Sequence, residues 1–96
     1  MSKLTENEIQ ARISVLPRWV LVENTIRREF ELADFKVALS FVIKIGEQAE
    51  AAWHHPDIDI RWNKVIVVLT THDSGGLTTK DFDLAEEFDR IRDQFS

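Results

Sequence analysis

The sequence predicts an α+β fold: a four-stranded antiparallel sheet with three helices packed on it, in the order α-β-β-α-β-β-α. Three observations predict it. Two pairs of strand-like segments are each broken by a very short polar interval. Three other segments repeat apolar residues every three or four positions. Each of those three is preceded by a capping residue, Thr5, Asp34, and Thr78 or Thr79. With 96 residues in all, the chain is expected to form one domain spanning 1–96.

The elements follow in order. Thr5-Glu6-Asn7-Glu8 is a capping box, with Leu4 and Ile9 at the staple positions around it. Ile9, Ile13 and Leu16 fall at helical spacing, and Pro17 closes this first helix. Residues 19–23 and 25–31 read as a hairpin turning at Asn24. In its second strand Ile26, Arg28 and Phe30 share one face, and Arg27, Glu29 and Glu31 the other. A long second helix follows Asp34, with Phe35, Ala38, Val42, Ile45, Ala49 and Ala52 along one stripe. Val37, Leu39, Phe41 and Ile43 widen that stripe, so this helix is either central to the core or part of a subunit interface. Residues 58–62 and 65–71 read as a second hairpin turning at Asn63-Lys64, its later strand apolar on both faces. Asp73-Ser74-Gly75-Gly76 is a loop, and Leu84, Phe88, Ile91 and Phe95 stripe the last helix.

Composition narrows the function. There is no cysteine, which removes disulfides, zinc ribbons, iron–sulfur clusters and thiol nucleophiles. Twelve Lys and Arg against 17 Asp and Glu give a net charge of −5, with no basic cluster, which argues against nucleic acid as a partner. No apolar run approaches a membrane span, and the start is polar and acidic rather than signal-like, so the expected location is the cytoplasm. Gly75-Gly76 is too short for a phosphate-cradling loop, and Ser74 beside Asp73 lacks a nucleophile elbow.

The three histidines are the residues able to do chemistry at neutral pH. His54 and His55 follow the second helix, and Pro56 holds the residue before it extended, so the helix is expected to end near His54. Glu50, four residues earlier on the same helix face, is placed to orient the His54 ring. His72 ends a strand and opens the glycine loop, a position where rigid scaffolds present functional side chains. Taken one at a time, each histidine also fits an exposed or helix-capping role. A zinc site built with Glu50, Asp57 or Asp59 is the competing chemistry. It lacks a His-x-x-x-His pair, and adjacent histidines rarely chelate one tetrahedral ion. Trp62 reads as a packed strand aromatic.

The run Glu50-Ala51-Ala52-Trp53-His54-His55-Pro56, the aromatic Trp62, the pair Thr71-His72 and finally Asp81 resemble the signature of the pterin-4a-carbinolamine dehydratases, with spacings that fit throughout. Trp62-Asn63-Lys64-Val65 and residues 71–78 look like that family's hairpin and loop, and the resemblance covers nearly the whole chain. It implies the α+β fold already read. It also implies dehydration of 4a-hydroxytetrahydrobiopterin to quinonoid dihydropterin, which recycles tetrahydrobiopterin for an aromatic amino-acid hydroxylase. Expelling hydroxide from C4a needs an acid at the departing oxygen and a base for a ring proton; imidazoles, with an ordinary pKa of about 6.5, can be either. By position the resemblance makes His54, His55 and His72 the acid–base set and Glu50 the orienting carboxylate. It makes His54-His55-Pro56 and Thr71-His72-Asp73-Ser74 the substrate-contacting segments, with Asp81 and Trp62 in structural or supporting places.

No metal and no added cofactor are expected. The two-sided apolar strand and the broad apolar helix, together with the family's habit, imply a homodimer or homotetramer. The alternative function is a non-catalytic pterin- or protein-binding module, like the dimerisation cofactors in the family; the intact histidine trio favours the enzyme. One departure is Trp53, where many members carry a small polar or acidic residue, and it bears on which pterin side chain is accepted.

Overall fold

Side-chain caps decide where the helices begin. In the computed structural model, which describes residues 2–95, Thr5 and Glu8 form the reciprocal capping box that starts α1 (Glu6–Ile13). Asp34 Oδ1 accepts from the Val37 amide at 2.9 Å and starts α2 (Phe35–Ala52). Thr78 caps α3 (Thr79–Arg92). Between them lie β1 (Val20–Val22), β2 (Thr25–Glu31), β3 (Asp57–Arg61), β4 (Lys64–Leu69) and a single 3₁₀ turn, His72–Ser74. The observed order is α-β-β-α-β-β-α.

The four strands form one antiparallel sheet in the order β1-β2-β4-β3. Register sets its two faces. Ile26, Arg28 and Phe30 lie opposite Leu69, Val67 and Val65, so the period-two pattern of β2 and that of β4 fall on the same side. All six are buried, and all but Arg28 belong to one cluster with Ala38, Phe41, Ile45 and Ala49 of α2 and Phe82, Ala85 and Phe88 of α3. Each fully buried Phe contributes roughly 1.5–3 kcal/mol by leaving water. Trp19, Phe30 and Phe41 stack through this core, with ring centroids 6.0 and 4.8 Å apart.

Arg28 is the charged exception on the inner face. Its guanidinium lies 4.0 Å over the Phe30 ring and pairs at 2.5 Å with Asp89, which also accepts from the Trp19 indole at 2.8 Å. Its Nε has no partner.

Four expectations are corrected. α1 stops at Ile13, well before Pro17, and buries no residue fully; Leu4, Ile9 and Ile13 only lean on the core. β1 is three residues long, because Trp19 leaves the strand to enter the core. The β3–β4 turn falls at Trp62-Asn63, one residue early, since Arg61 pairs with Lys64. Trp62 takes the left-handed conformation (φ 52°) that the first residue of such a two-residue turn needs, and its ring is 64% exposed rather than packed. One face of α2 sits on the sheet and α3, while Phe35, Leu39 and Ile43 face solvent. The outer face of β4, Ile66 and Val68, is only half-buried, among charged neighbours such as Arg27, Glu29 and Asp59.

Among the described residues no helix is long and apolar enough to cross a membrane.

Candidate active site

The C-terminal end of α2 is where the sequence turns from scaffold to chemistry. The helix ends in a left-handed residue, Trp53 (φ 52°, ψ 47°), whose amide bonds the Glu50 carbonyl while the His54 amide bonds the Ala49 carbonyl at 3.0 Å. This is a Schellman ending, normally made with glycine. A residue with a Cβ holds that conformation at a cost of about 1–2 kcal/mol.

The turn gives Glu50 a different imidazole from the one expected. Had the helix continued, Glu50 would lie under His54. Instead the left-handed step swings His54 inward, where its Nε2 meets Asp81 Oδ1 at 2.6 Å. Glu50 Oε1 takes His55 Nε2 at 2.7 Å. Glu50 is therefore paired with His55, not His54.

Asp81 has the more demanding position. It is fully buried in the first turn of α3. Its Oδ1 faces His54, and its Oδ2 accepts from the Thr71 hydroxyl at 2.8 Å and the Thr78 amide at 2.9 Å. The Thr71 hydroxyl has one proton and gives it to Asp81, so the Thr78 hydroxyl, 2.9 Å away, is the donor to Thr71 Oγ1. A carboxylate in this arrangement accepts only, which puts the proton of His54 on Nε2 and leaves Nδ1 as the nitrogen able to meet a ligand.

The third imidazole arrives by another route. β4 ends at Leu69, two residues earlier than the sequence indicated, and Thr71 bridges to Gly76 around the His72–Ser74 turn. Gly75, at φ 77°, closes that turn. His72 is thereby set in the wall of a cleft of about 380 Å³, lined by all three histidines with Trp53, Thr70, Thr71, Asp73 and Lys80. Of the residues expected to contact substrate, His54, His55, Thr71, His72 and Asp73 line this cleft; Pro56 and Ser74 do not. Trp62 is outside it.

Thr70 and Lys80 were not anticipated. Lys80 carries the signal of an exposed helix residue and nothing more, since its place beside His72 depends on how α3 packs. A larger hollow of about 810 Å³, lined by Arg18, Arg28, Asp89 and Arg92 among others, contains no imidazole. Among the described residues no three His, Cys, Asp or Glu converge as metal ligands would.

Fold and cleft together define a small α+β protein that gathers three imidazoles and two carboxylates at one end of its central helix. The chain belongs to the pterin 4 alpha carbinolamine dehydratase family, whose model matches residues 2–91. A relative from Picosynechococcus sp., named "Putative pterin-4-alpha-carbinolamine dehydratase", is 57% identical over 94% of this chain and 98% of its own. One of the same name from Roseiflexus sp. is 52% identical over 94% and 97%. Among solved structures, that of a Brucella melitensis protein described as a transcriptional coactivator/pterin dehydratase superimposes with a TM-score of 0.91. It is 32% identical and covers 95% of this chain and 99% of that one.

Proposed function

We propose that this chain dehydrates 4a-hydroxytetrahydrobiopterin to quinonoid dihydropterin by histidine acid–base catalysis, and so recycles tetrahydrobiopterin for an aromatic amino-acid hydroxylase. The observation that carries the reading is the convergence of His54, His55 and His72 on one cleft, two of them held by carboxylates. In the reaction the C4a–O bond breaks and the hydroxyl leaves as water with a proton from the acid. A ring N–H proton passes to the base, and no redox change occurs.

His54 suits the acid role, because Asp81 fixes its ring and faces the positive charge it carries while holding the extra proton. His55, steadied by Glu50 at the exposed rim, serves as its counterpart. His72 approaches from the far wall and serves the opposite ring face or the other stereoisomer of the alcohol. Asp73 and Thr71 supply polar contacts to the ring edge.

An ultraviolet assay with chemically generated carbinolamine tests this directly. Acceleration over the spontaneous reaction is expected from the wild type. Absence of acceleration, with pterin still bound, would favour the non-catalytic binding module.

We also propose that the chain works in the cytoplasm as a homodimer or homotetramer, because Phe35, Leu39 and Ile43 form an apolar strip on α2 open to solvent. Light scattering at micromolar concentration should give a multiple of 11.2 kDa. A mass of about one chain would overturn the assembly.

A further inference from the structure

Trp53 is the residue whose placement neither the fold nor the acid–base scheme accounts for. It occupies the left-handed position of the Schellman ending, where glycine would be relaxed. The residue is 72% exposed, so burial does not compensate for that strain. The ring nevertheless has a defined place: it meets the His55 imidazole edge to face, centroids 5.0 Å apart and planes at 78°, and forms one wall of the histidine cleft. The other walls are polar: three imidazoles, two threonines, Asp73 and Lys80. An exposed indole held in strained backbone at the lip of a polar cleft is the pattern expected of a ligand-facing residue.

We infer that Trp53 is an affinity- and specificity-determining residue, the apolar wall against which the flat, conjugated part of a pterin's pyrimidine ring lies while the imidazoles act on the tetrahedral carbon beside it. The inference rests on the pterin reading above and adds the contact that selects a fused bicycle over a smaller, single-ring alcohol. A π-face is indifferent to the substituents at the ring's far edge, so this wall recognises the bicycle and leaves the side chain to the rest of the cleft.

The test compares Trp53→Asn, which tolerates the left-handed backbone and removes the ring, with Trp53→Phe, which keeps a ring. The probe is 7,8-dihydrobiopterin, a pterin that lacks the leaving hydroxyl, followed by quenching of tryptophan fluorescence and by calorimetry. Trp53→Asn should raise its Kd about tenfold, the usual scale for losing one aromatic stacking partner. KM for the carbinolamine should rise in parallel, with kcat changing much less, and the thermal midpoint should hold or increase. Trp53→Phe should stay within about threefold of wild type, since a smaller π-face remains.

Wild-type affinity and KM in Trp53→Asn, while the wild type still dehydrates carbinolamine, would overturn the wall and leave the reaction assignment standing. Loss of binding accompanied by a lower molar mass would also overturn it, by placing Trp53 in a subunit interface. A wild type that neither binds the dihydropterin nor accelerates dehydration would sink the pterin reading, and the wall with it.

Discussion

His54–Asp81 and His55–Glu50 are the same pair of groups at nearly the same separation, 2.6 and 2.7 Å, in opposite surroundings. In the first, the side chains are 10% and 0% exposed; in the second, 53% and 66%. Adjacent residues thus receive unlike supports. The inner pair is shielded from salt and water, and Asp81 holds two further hydrogen bonds, so the geometry is over-determined. The outer pair is screened, and water can replace either partner. A proton donor, the role proposed for His54, needs a fixed aim, whereas a ring at the rim of a cleft has to yield as ligand enters and leaves. Burial, more than distance, separates the two.

The largest expected effect breaks the inner pair. Asp81→Ala leaves the His54 ring, the Thr71 hydroxyl and the Thr78 amide without their acceptor and removes the α3 cap. Breaking a buried pair from one side costs about 3–5 kcal/mol. In a domain of this size that lowers the thermal midpoint by more than about 10 °C, measurable by calorimetry. Asp81→Asn, nearly the same shape, should cost less stability but still lower kcat, because its amide group can donate to His54 Nε2 and move the ring proton to the other nitrogen. Full turnover in a folded Asp81→Asn protein would count against the acid role of His54.

Next come the imidazoles themselves. Removing one positioned acid or base lowers kcat by about 10²–10⁴, less where the uncatalysed dehydration sets the floor. His54→Ala and His55→Ala should both do this, but only His54→Ala should also destabilise the fold, since it alone leaves a buried carboxylate oxygen, Asp81 Oδ1, without its partner. Equal thermal midpoints in the two variants would erase the contrast. Glu50→Ala is milder: a few-fold loss of kcat with stability changed by no more than about 1 kcal/mol, as for other exposed pairs. Adding salt to the wild type should reproduce part of that kinetic loss. The smallest effect lies outside the site. Hydrogen bonds from the Thr5 amide and hydroxyl hold the Glu8 carboxyl below its usual range. A depressed folded pKa means its stabilisation is present above the ordinary glutamate value of about 4.3 and is lost as pH falls through the folded one. Wild type should therefore exceed Glu8→Ala slightly at pH 7, and the gap should close in acid, read by thermal melts across pH.

The two pairs also differ in how visible they were beforehand. Glu50 and both histidines stand out because they lie within six positions and carry the family signature, yet Glu50 pairs with His55 rather than with the expected His54. The error comes from one dihedral: tryptophan gives no warning of a left-handed residue, as Gly or Asn would, so the helix face was extended one residue too far. Asp81 stood in the signature, but capping explains an acid at the third helical position completely, and nothing local announces a contact 27 residues away. By contrast, the inner face of β2, Ile26, Arg28 and Phe30, was legible in full, because strand periodicity is a local property that register preserves. The Thr5 and Asp34 caps were legible for the same reason.

That double duty of Asp81 has a consequence for how the molecule breathes. Helix ends ordinarily fray at little cost, and their amides exchange with solvent deuterium through small local openings. Here the Thr78 amide hydrogen points at the same carboxylate oxygen that anchors Thr71, beside the oxygen that anchors His54. The first turn of α3 cannot peel away without dismantling the inner half of the cleft. Thr78 should therefore exchange far more slowly than a helix-start amide usually does. A ligand that engages His54 should slow it further in proportion to occupancy, making one backbone proton at the edge of a helix a reporter of events on the other side of the carboxylate.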